Sequence, residues 1–415
     1  MATIGPDDRQ ALEKLTQAAG QNGLDIAGGK VRRSSSRFCL GVEHGDYNGT
    51  ELFGVGTNRF IWLAYKPNGT NRCRMFSCNF PKDGVVEWEL GKAPAASDAT
   101  AHSWARFAFG VDMILKREGY TLTQGVDAVV YGNIPGGGMS RSASLTLNLI
   151  GSLLDASGQA CDDGLKAVDM AQAVENDYIG SPCGQLDQIM IQFARDGMGT
   201  HYDPKTRKID YVPAGVDADA FRIVVMDTGT DRPGLEKSTY KVRRGECDEF
   251  AAVLSKKYEG VKCLADVKDQ ALFEKILREM GPTYPQHCRR LEYIFYAQQR
   301  FYEMLAAWRK GDIETVGALF RQDGTGLRDV YQISGPELET MCDIVRTVEG
   351  VLGERMLGGG DKGAAGCLCT PEAVKGVERA VKTGYPRSRP EMADKWAVHV
   401  CKMVQGITLI EGELG

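Results

Sequence analysis

Apolar positions along this chain switch between a two-residue and a 3.6-residue period, and the switches mark its elements. Asp7 and Asp8 precede RQALEKLTQAAG, which predicts a short capped helix ending near Gly20. From Asp25 to Leu90 the runs SRFCLGV, ELFGVGT, RFIWLAY, RCRMFSC and VVEWEL are strand-like, and Gly, Asn and Pro turns separate them. Residues 103–120 return to helical spacing, with Trp104, Phe107, Val111 and Leu115 on one face. VDAVVYGNIP at 126–135 is a short strand running into a glycine-rich loop. Beyond that loop Leu147, Ile150 and Leu154 keep helical spacing, and residues 162–176 predict another helix. HYDPKTRKIDY at 201–211 reads as a hairpin and FRIVVMDTG at 221–229 as a strand. In the helix-rich C-terminal part, Leu291, Ile294, Phe301, Leu305 and Trp308 form an apolar stripe that stops at Gly311, the pattern of a helix packed on a core. The expectation is a mixed α/β chain in two halves, 1–205 and 206–415.

The 415 residues, 43% hydrophobic, are enough for one large two-lobed fold or two ordinary domains. A formal net charge of -5 argues against a nucleic-acid partner, which calls for a basic excess. The N-terminus shows neither a basic nor an apolar leader region, and no apolar run approaches a membrane span. The expected setting is therefore the cytoplasm, with no membrane partner. Twelve cysteines with no CxxC pair read as reduced thiols. Nothing in the pattern specifies an oligomeric state.

GNIPGGGMSRSASL at 132–145 carries the first chemistry. Gly136, Gly137 and Gly138 let backbone approach a ligand closely, and the helix that follows presents free N–H groups and a positive dipole end. Such a site suits a phosphate. Ser140, Ser142 and Ser144 add hydroxyls. A Walker loop would need Gly-Lys-Ser/Thr where this chain has Met-Ser-Arg-Ser, and a dinucleotide fingerprint would need a further glycine. On this segment alone, a tight strand-to-helix turn capped by serines stays open.

The loop resembles the second motif of the GHMP kinase superfamily, in its galactokinase-like branch, with Arg141 where that branch has serine. Three more segments agree, in the same order. SRFCLGVEHGDYNG at 36–49 resembles the galactokinase signature, an arginine followed by Glu-His-x-Asp-Tyr, with Ser35-Ser36 replacing Pro-Gly. ENDYIGSPCGQLDQ at 175–188 resembles a second galactokinase stretch, with Tyr178 in place of phenylalanine. GERMLGGGDKGAAGC at 353–367 resembles the third motif, with Asp361 and Lys362 as departures, followed by a short, cysteine-rich segment where an apolar strand is expected. TYKVRRGECDEFAAVL at 239–254 adds a smaller likeness.

The resemblance implies a two-lobed α/β fold with the active site in the cleft between the lobes. It implies ATP-dependent phosphorylation of a sugar at its anomeric C1 hydroxyl. Gly136 to Gly138, Ser140, Arg141 and Ser142 would cradle the ATP phosphates, and Ser142 and Glu175 would hold Mg²⁺. Asp187 is the expected general base, with Arg37 lying against it. Glu43, His44, Asp46, Gly184 and Tyr240 are the expected sugar contacts. Glu43, expected on the C6 side of the sugar, would repel a uronate, which favours a neutral galactose-type hexose. A galacturonokinase, or a sugar sensor acting through a protein partner, remains as an alternative.

Overall fold

The computed structural model describes residues 4–97, 100–230 and 237–410. The chain opens with helix α1 (Pro6–Gln21), then strands β1 (Lys30–Gly41), β2 (Leu52–Pro67), β3 (Arg72–Ser77) and β4 (Val86–Glu89). Helix α2 (Arg106–Arg117) leads to β5 (Val126–Gly132), followed by α3 (Arg141–Ala156), α4 (Gly164–Ala173) and α5 (Leu186–Gln192). Strands β6 (Met198–Asp203), β7 (Lys208–Pro213) and β8 (Arg222–Asp227) precede α6 (Thr239–Lys257), α7 (Gln270–Met280), α8 (Pro285–Lys310), α9 (Ile313–Thr325) and α10 (Pro336–Arg346). The chain then runs through β9 (Val351–Met356), β10 (Ala364–Cys369), α11 (Val374–Ser388), β11 (Ala397–Cys401) and β12 (Ile407–Ile410). It is an α/β fold built on two sheets.

The first sheet has the order β12-β1-β2-β5-β3-β4, with the β6–β7 hairpin paired to β2. The second is antiparallel, in the order β11-β8-β10-β9. The division expected between residues 205 and 206 falls in the turn of the β6–β7 hairpin, both of whose strands belong to the first sheet. Chain order and sheet membership part again at the end, where β12 comes back to pair with β1.

Local sequence explains most elements. Helix α1 starts with proline at its first position, and Asp8 accepts from the Gly5 N–H at 2.8 Å. Its Ala11 and Leu15 pack with Trp62 and Val129 of the first sheet. The stripe on α8 is fully covered: Leu291, Ile294, Phe301, Leu305 and Trp308 are all buried, and the helix ends at Gly311 in the left-handed region, φ 75°. Burying each such side chain stabilises the fold by roughly 1.5–3 kcal/mol.

Three elements differ from the pattern. ELFGVGT and RFIWLAY, expected as two strands, form the single strand β2, and the Asn58-Arg59 turn signal becomes a bulge opposite Ser35 and Ser36 of β1. Helix α4 does not stop at 176 but widens into a π-type turn over Val174–Ile179. The cysteine-rich segment after the third motif is a full six-residue strand, β10, at the interior of the second sheet and buried along its whole length. Its small residues are there for space. A Cβ on Gly366 would stand 2.5 Å from Cε2 of Phe38, which stacks on Phe320 with ring centroids 5.3 Å apart.

Gly366→Ala is accordingly expected to destabilise the fold by about 1–3 kcal/mol, because neither a central strand nor a packed ring yields cheaply. A denaturant midpoint unchanged from the parent would contradict this packing.

Candidate active site

A cleft of about 340 Å³ collects residues from β1, the glycine loop, α5, the start of α6 and the third glycine loop. At its centre is Arg37, on the inner part of β1 and 2% exposed. Its Nε donates to Asp187 Oδ1 at 2.8 Å and its Nη1 to the Gly138 carbonyl at 2.7 Å, while Nη2 lies 2.7 Å from the same carboxylate oxygen. The three segments expected to meet do meet. Burial works to lower the pKa of Arg37, but the carboxylates of Asp187 and Glu43 outweigh it, so the guanidinium is held above its ordinary value and stays charged. Asp187, in the first turn of α5, keeps its side chain 35% exposed toward the cleft.

The glycine loop folds over this pair. Gly138 has φ 79°, and a Cβ there would meet Ala364 at 3.1 Å, so only glycine fits the contact with β10. Ser140 also takes the left-handed region, φ 60°, just before α3. Its buried Oγ has no hydrogen-bond partner among the described residues. Ser142 Oγ donates to Glu175 Oε2 at 3.3 Å, which brings the two expected metal ligands together, with Glu175 on the π-type turn. Gly136, Gly137 and Arg141 line the same cleft.

The expected sugar residues surround the opposite end. His44, at φ 59°, shares a hydrogen bond of 2.9 Å between its Nδ1 and the Tyr47 hydroxyl. Tyr240 packs against His44 with ring centroids 5.4 Å apart. Asp46 Oδ2 accepts from the Leu186 N–H at 3.2 Å, and a Cβ on Gly184 would stand 1.9 Å from that oxygen. Glycine at 184 therefore leaves room for the Asp46 carboxylate. Withdrawal from water raises the Asp46 pKa to about 6; the Leu186 N–H opposes this and the nearby Asp187 charge adds to it.

Glu43, expected among the sugar contacts, also has partners within the protein. It lines the cleft, but its Oε1 accepts from the Gly358 N–H at 2.6 Å and lies 4.0 Å from Arg355. Much of its charge is thus met by protein, and it fastens the third glycine loop to the first motif. The departures in that loop have simple places: Asp361 Oδ2 accepts from Thr239 Oγ1 at 2.7 Å, and Lys362 is exposed.

Sequence reasoning missed the aromatic end of the cleft. Phe80, Trp104 and Phe107 line it with Ile61, Val130 and Leu145. Trp104 and Phe107 had a sufficient explanation as one face of a helix, but Trp104 lies outside α2. Phe80, in the loop after β3, left no periodic signal. Also missed was the support behind Glu43. Arg355 is buried, donating to Asp323 Oδ2 at 2.6 Å and to the Cys39 carbonyl at 2.8 Å.

Known proteins resemble this chain in sequence and fold. Residues 107–195 match the family described as GHMP kinases N terminal domain. The chain is 32% identical over 330 residues to a galactokinase of Lacticaseibacillus casei strain BL23, covering 79% of this chain and 82% of that protein. The crystal structure of Lactococcus lactis galactokinase complexed with galactose superposes with a TM-score of 0.87 at 28% identity, covering 96% of this chain and 99% of that one. A mevalonate kinase of Methanococcus jannaschii superposes with a TM-score of 0.64 at 14% identity, covering 91% and 99%, which is a likeness of fold alone.

The raised pKa of Asp46 has a consequence for stability. Its folded value, about 6, lies above the ordinary 3.8, so the protonated form favours the fold and that contribution is lost as pH rises through about 6. Asp46→Asn is expected to be more stable than the parent by about 1–2 kcal/mol at pH 7, with the gain fading toward pH 4. Denaturant melts at the two pH values check this; an equal effect at both would show that Asp46 ionises normally.

Proposed function

The chain belongs to the galactokinase family, and from that premise we propose that its cleft transfers the γ-phosphoryl group of ATP to the C1 hydroxyl of galactose. The observation that carries this reading is the Arg37–Asp187 pair against the glycine loop. Phosphoryl transfer needs alignment and charge neutralisation more than covalent chemistry, and this is the arrangement that supplies both.

Asp187 acts as general base. Arg37 holds its Oδ1, which leaves Oδ2 to take the proton from the C1 hydroxyl as that oxygen attacks the γ-phosphorus. The bond from that phosphorus to the β–γ bridging oxygen breaks, and ADP and galactose 1-phosphate result. Arg37, charged and buried, steadies the carboxylate and faces the negative charge of the transferring group. The amides of the glycine loop, with Ser140 and Arg141, receive the ATP phosphates. The purine sits among Phe80, Trp104 and Phe107, where stacking suits a flat ring. Asp46, His44, Gly184 and Tyr240 hold the sugar, and Glu43 supports it by fixing the loop at Gly358.

Residues suited to Mg²⁺ are in place. Ser142 and Glu175 present adjacent hard oxygens beside the glycine loop, and the unpartnered Ser140 hydroxyl points to a further polar group there. Among the described residues no group of three or more His, Cys, Asp or Glu side chains could hold a metal. When bound, the ion would neutralise phosphate charge.

Glu43 and Asp46, both carboxylates lining the cleft, would together disfavour a uronate. Galactose is expected to exceed galacturonate in kcat/KM by at least about 10-fold, since an added like charge in a closed site costs on the order of several kcal/mol. A coupled ADP-release assay over both sugars checks this, and preference for the acid would reverse the assignment.

Asp187→Asn is expected to lower kcat by about 10²–10⁴-fold while galactose affinity, read by calorimetry, stays near the parent's. Normal turnover in this variant would remove the general base from the mechanism.

A further inference from the structure

The first residue of α3 is Arg141, where the resembling motif carries serine. Its guanidinium carbon stands 5.4 Å from the Phe80 ring centroid, over the aromatic end of the cleft. The side chain is half-buried and lines the same cavity as Gly136, Gly137 and Gly138. Among the described residues it makes neither a hydrogen bond nor an ion pair. The carboxylate that acts on it is Asp227, at the end of β8, whose Oδ1 already accepts from the Gly229 N–H at 2.9 Å. Beside it Ser140 is about nine-tenths buried, lines the same cavity, and has no partner for its hydroxyl among the described residues.

A partly desolvated guanidinium whose nearest carboxylate, Asp227, forms no ion pair with it is costly to keep. Five donors in a rigid planar fork match phosphate oxygens, and stacking on Phe80 holds the plane in place. Ser142 in the first turn of α3 and Glu175 on the π-type turn after α4, the residues suited to a cation, meet beside the same loop. A phosphate chain resting on that loop would therefore meet positive charge from a side chain as well as from an ion.

We propose that Arg141 is a built-in counter-charge for the nucleotide's phosphate chain, so that this cleft binds ATP and ADP without a divalent cation. The proposal rests on reading the glycine loop as the phosphate cradle. The ion then serves mainly the transfer step, and nucleotide capture is left to the protein.

Isothermal calorimetry of the full chain tests this, with ATP and ADP as probes, each in excess Mg²⁺ or in EDTA. The parent is expected to bind ATP in EDTA within about threefold of its affinity in Mg²⁺. Arg141→Ser, the residue of the resembling motif, is expected to lose at least about 10-fold in EDTA and less than about threefold in Mg²⁺, the size of one charge-assisted contact. Arg141→Lys keeps the charge and is expected to recover most of the metal-free affinity. Parent binding that requires Mg²⁺ overturns the proposal and leaves the kinase reading intact. Equal losses in both buffers for the serine variant overturn it too, as does a lysine variant no better than serine. Failure to bind ATP under either condition removes the phosphate cradle itself, and the kinase reading with it.

Discussion

A guanidinium buried in the middle of a strand is the constraint around which this cleft is assembled. Arg37 is reached by almost no water, so its charge has to be met by protein. Asp187 meets it from α5 and the Gly138 carbonyl from the glycine loop, while Gly358 of the third loop comes close enough that a Cβ there would lie 3.3 Å from Nη2. Three segments far apart in sequence are drawn to one cation. Removing that cation would leave the Asp187 carboxylate and the Gly138 carbonyl facing each other, a loss that the 35% exposure of Asp187 to the cleft reduces below that of a fully buried pair broken on one side. Catalytic alignment and local stability thus share one interaction.

A second buried guanidinium performs the same service one layer deeper. Arg355 joins Asp323 of α9 to the Cys39 carbonyl of β1 and stands near Glu43. Glu43 in turn takes the Gly358 N–H. Arg37 and Arg355 therefore bracket the first motif from two sides, one from the cleft and one from the core. The stack of Phe38 on Phe320 and the gap left by Gly366 close the apolar layer between the sheets. On the proposed reading, the sugar would meet a loop whose backbone is already fixed, which lowers the ordering cost of binding.

Legibility in the sequence followed the range of the interactions. Short motifs named Arg37, Asp187, Ser142, Glu175 and Gly138 correctly as neighbours, because each motif exists to bring a few polar groups to one place. Helices with long apolar stripes, such as α8, were visible for the same local reason. Strand β10 was misjudged because its quality depends on Phe38, over three hundred residues earlier, which selects glycine and alanine over larger apolar residues. Strand β2 looked like two because a bulge and a turn use the same residues, Asn58 and Arg59. The motif showed the Glu43 carboxylate but not its contact with the Gly358 N–H, which comes from the other end of the chain. The aromatic wall of Phe80, Trp104 and Phe107 had no period of its own, being gathered from a loop, a turn and a helix.

The two carboxylates that face the reacting centre differ in how completely the protein serves them. Asp187 has a guanidinium in contact. Asp46 has the Leu186 and Tyr47 N–H groups and a more distant Arg244, and burial still disfavours its ionisation until about pH 6. On the proposed reading, sugar hydroxyls would supply Asp46 with further donors, and each would favour the ionised form, drawing the Asp46 pKa down and releasing a proton near that pH. An open cleft and a filled one then differ in charge as well as in occupancy. On that reading the carboxylate whose charge the fold disfavours is the one that the substrate would complete, which is how a site can be costly to keep empty and selective about what fills it.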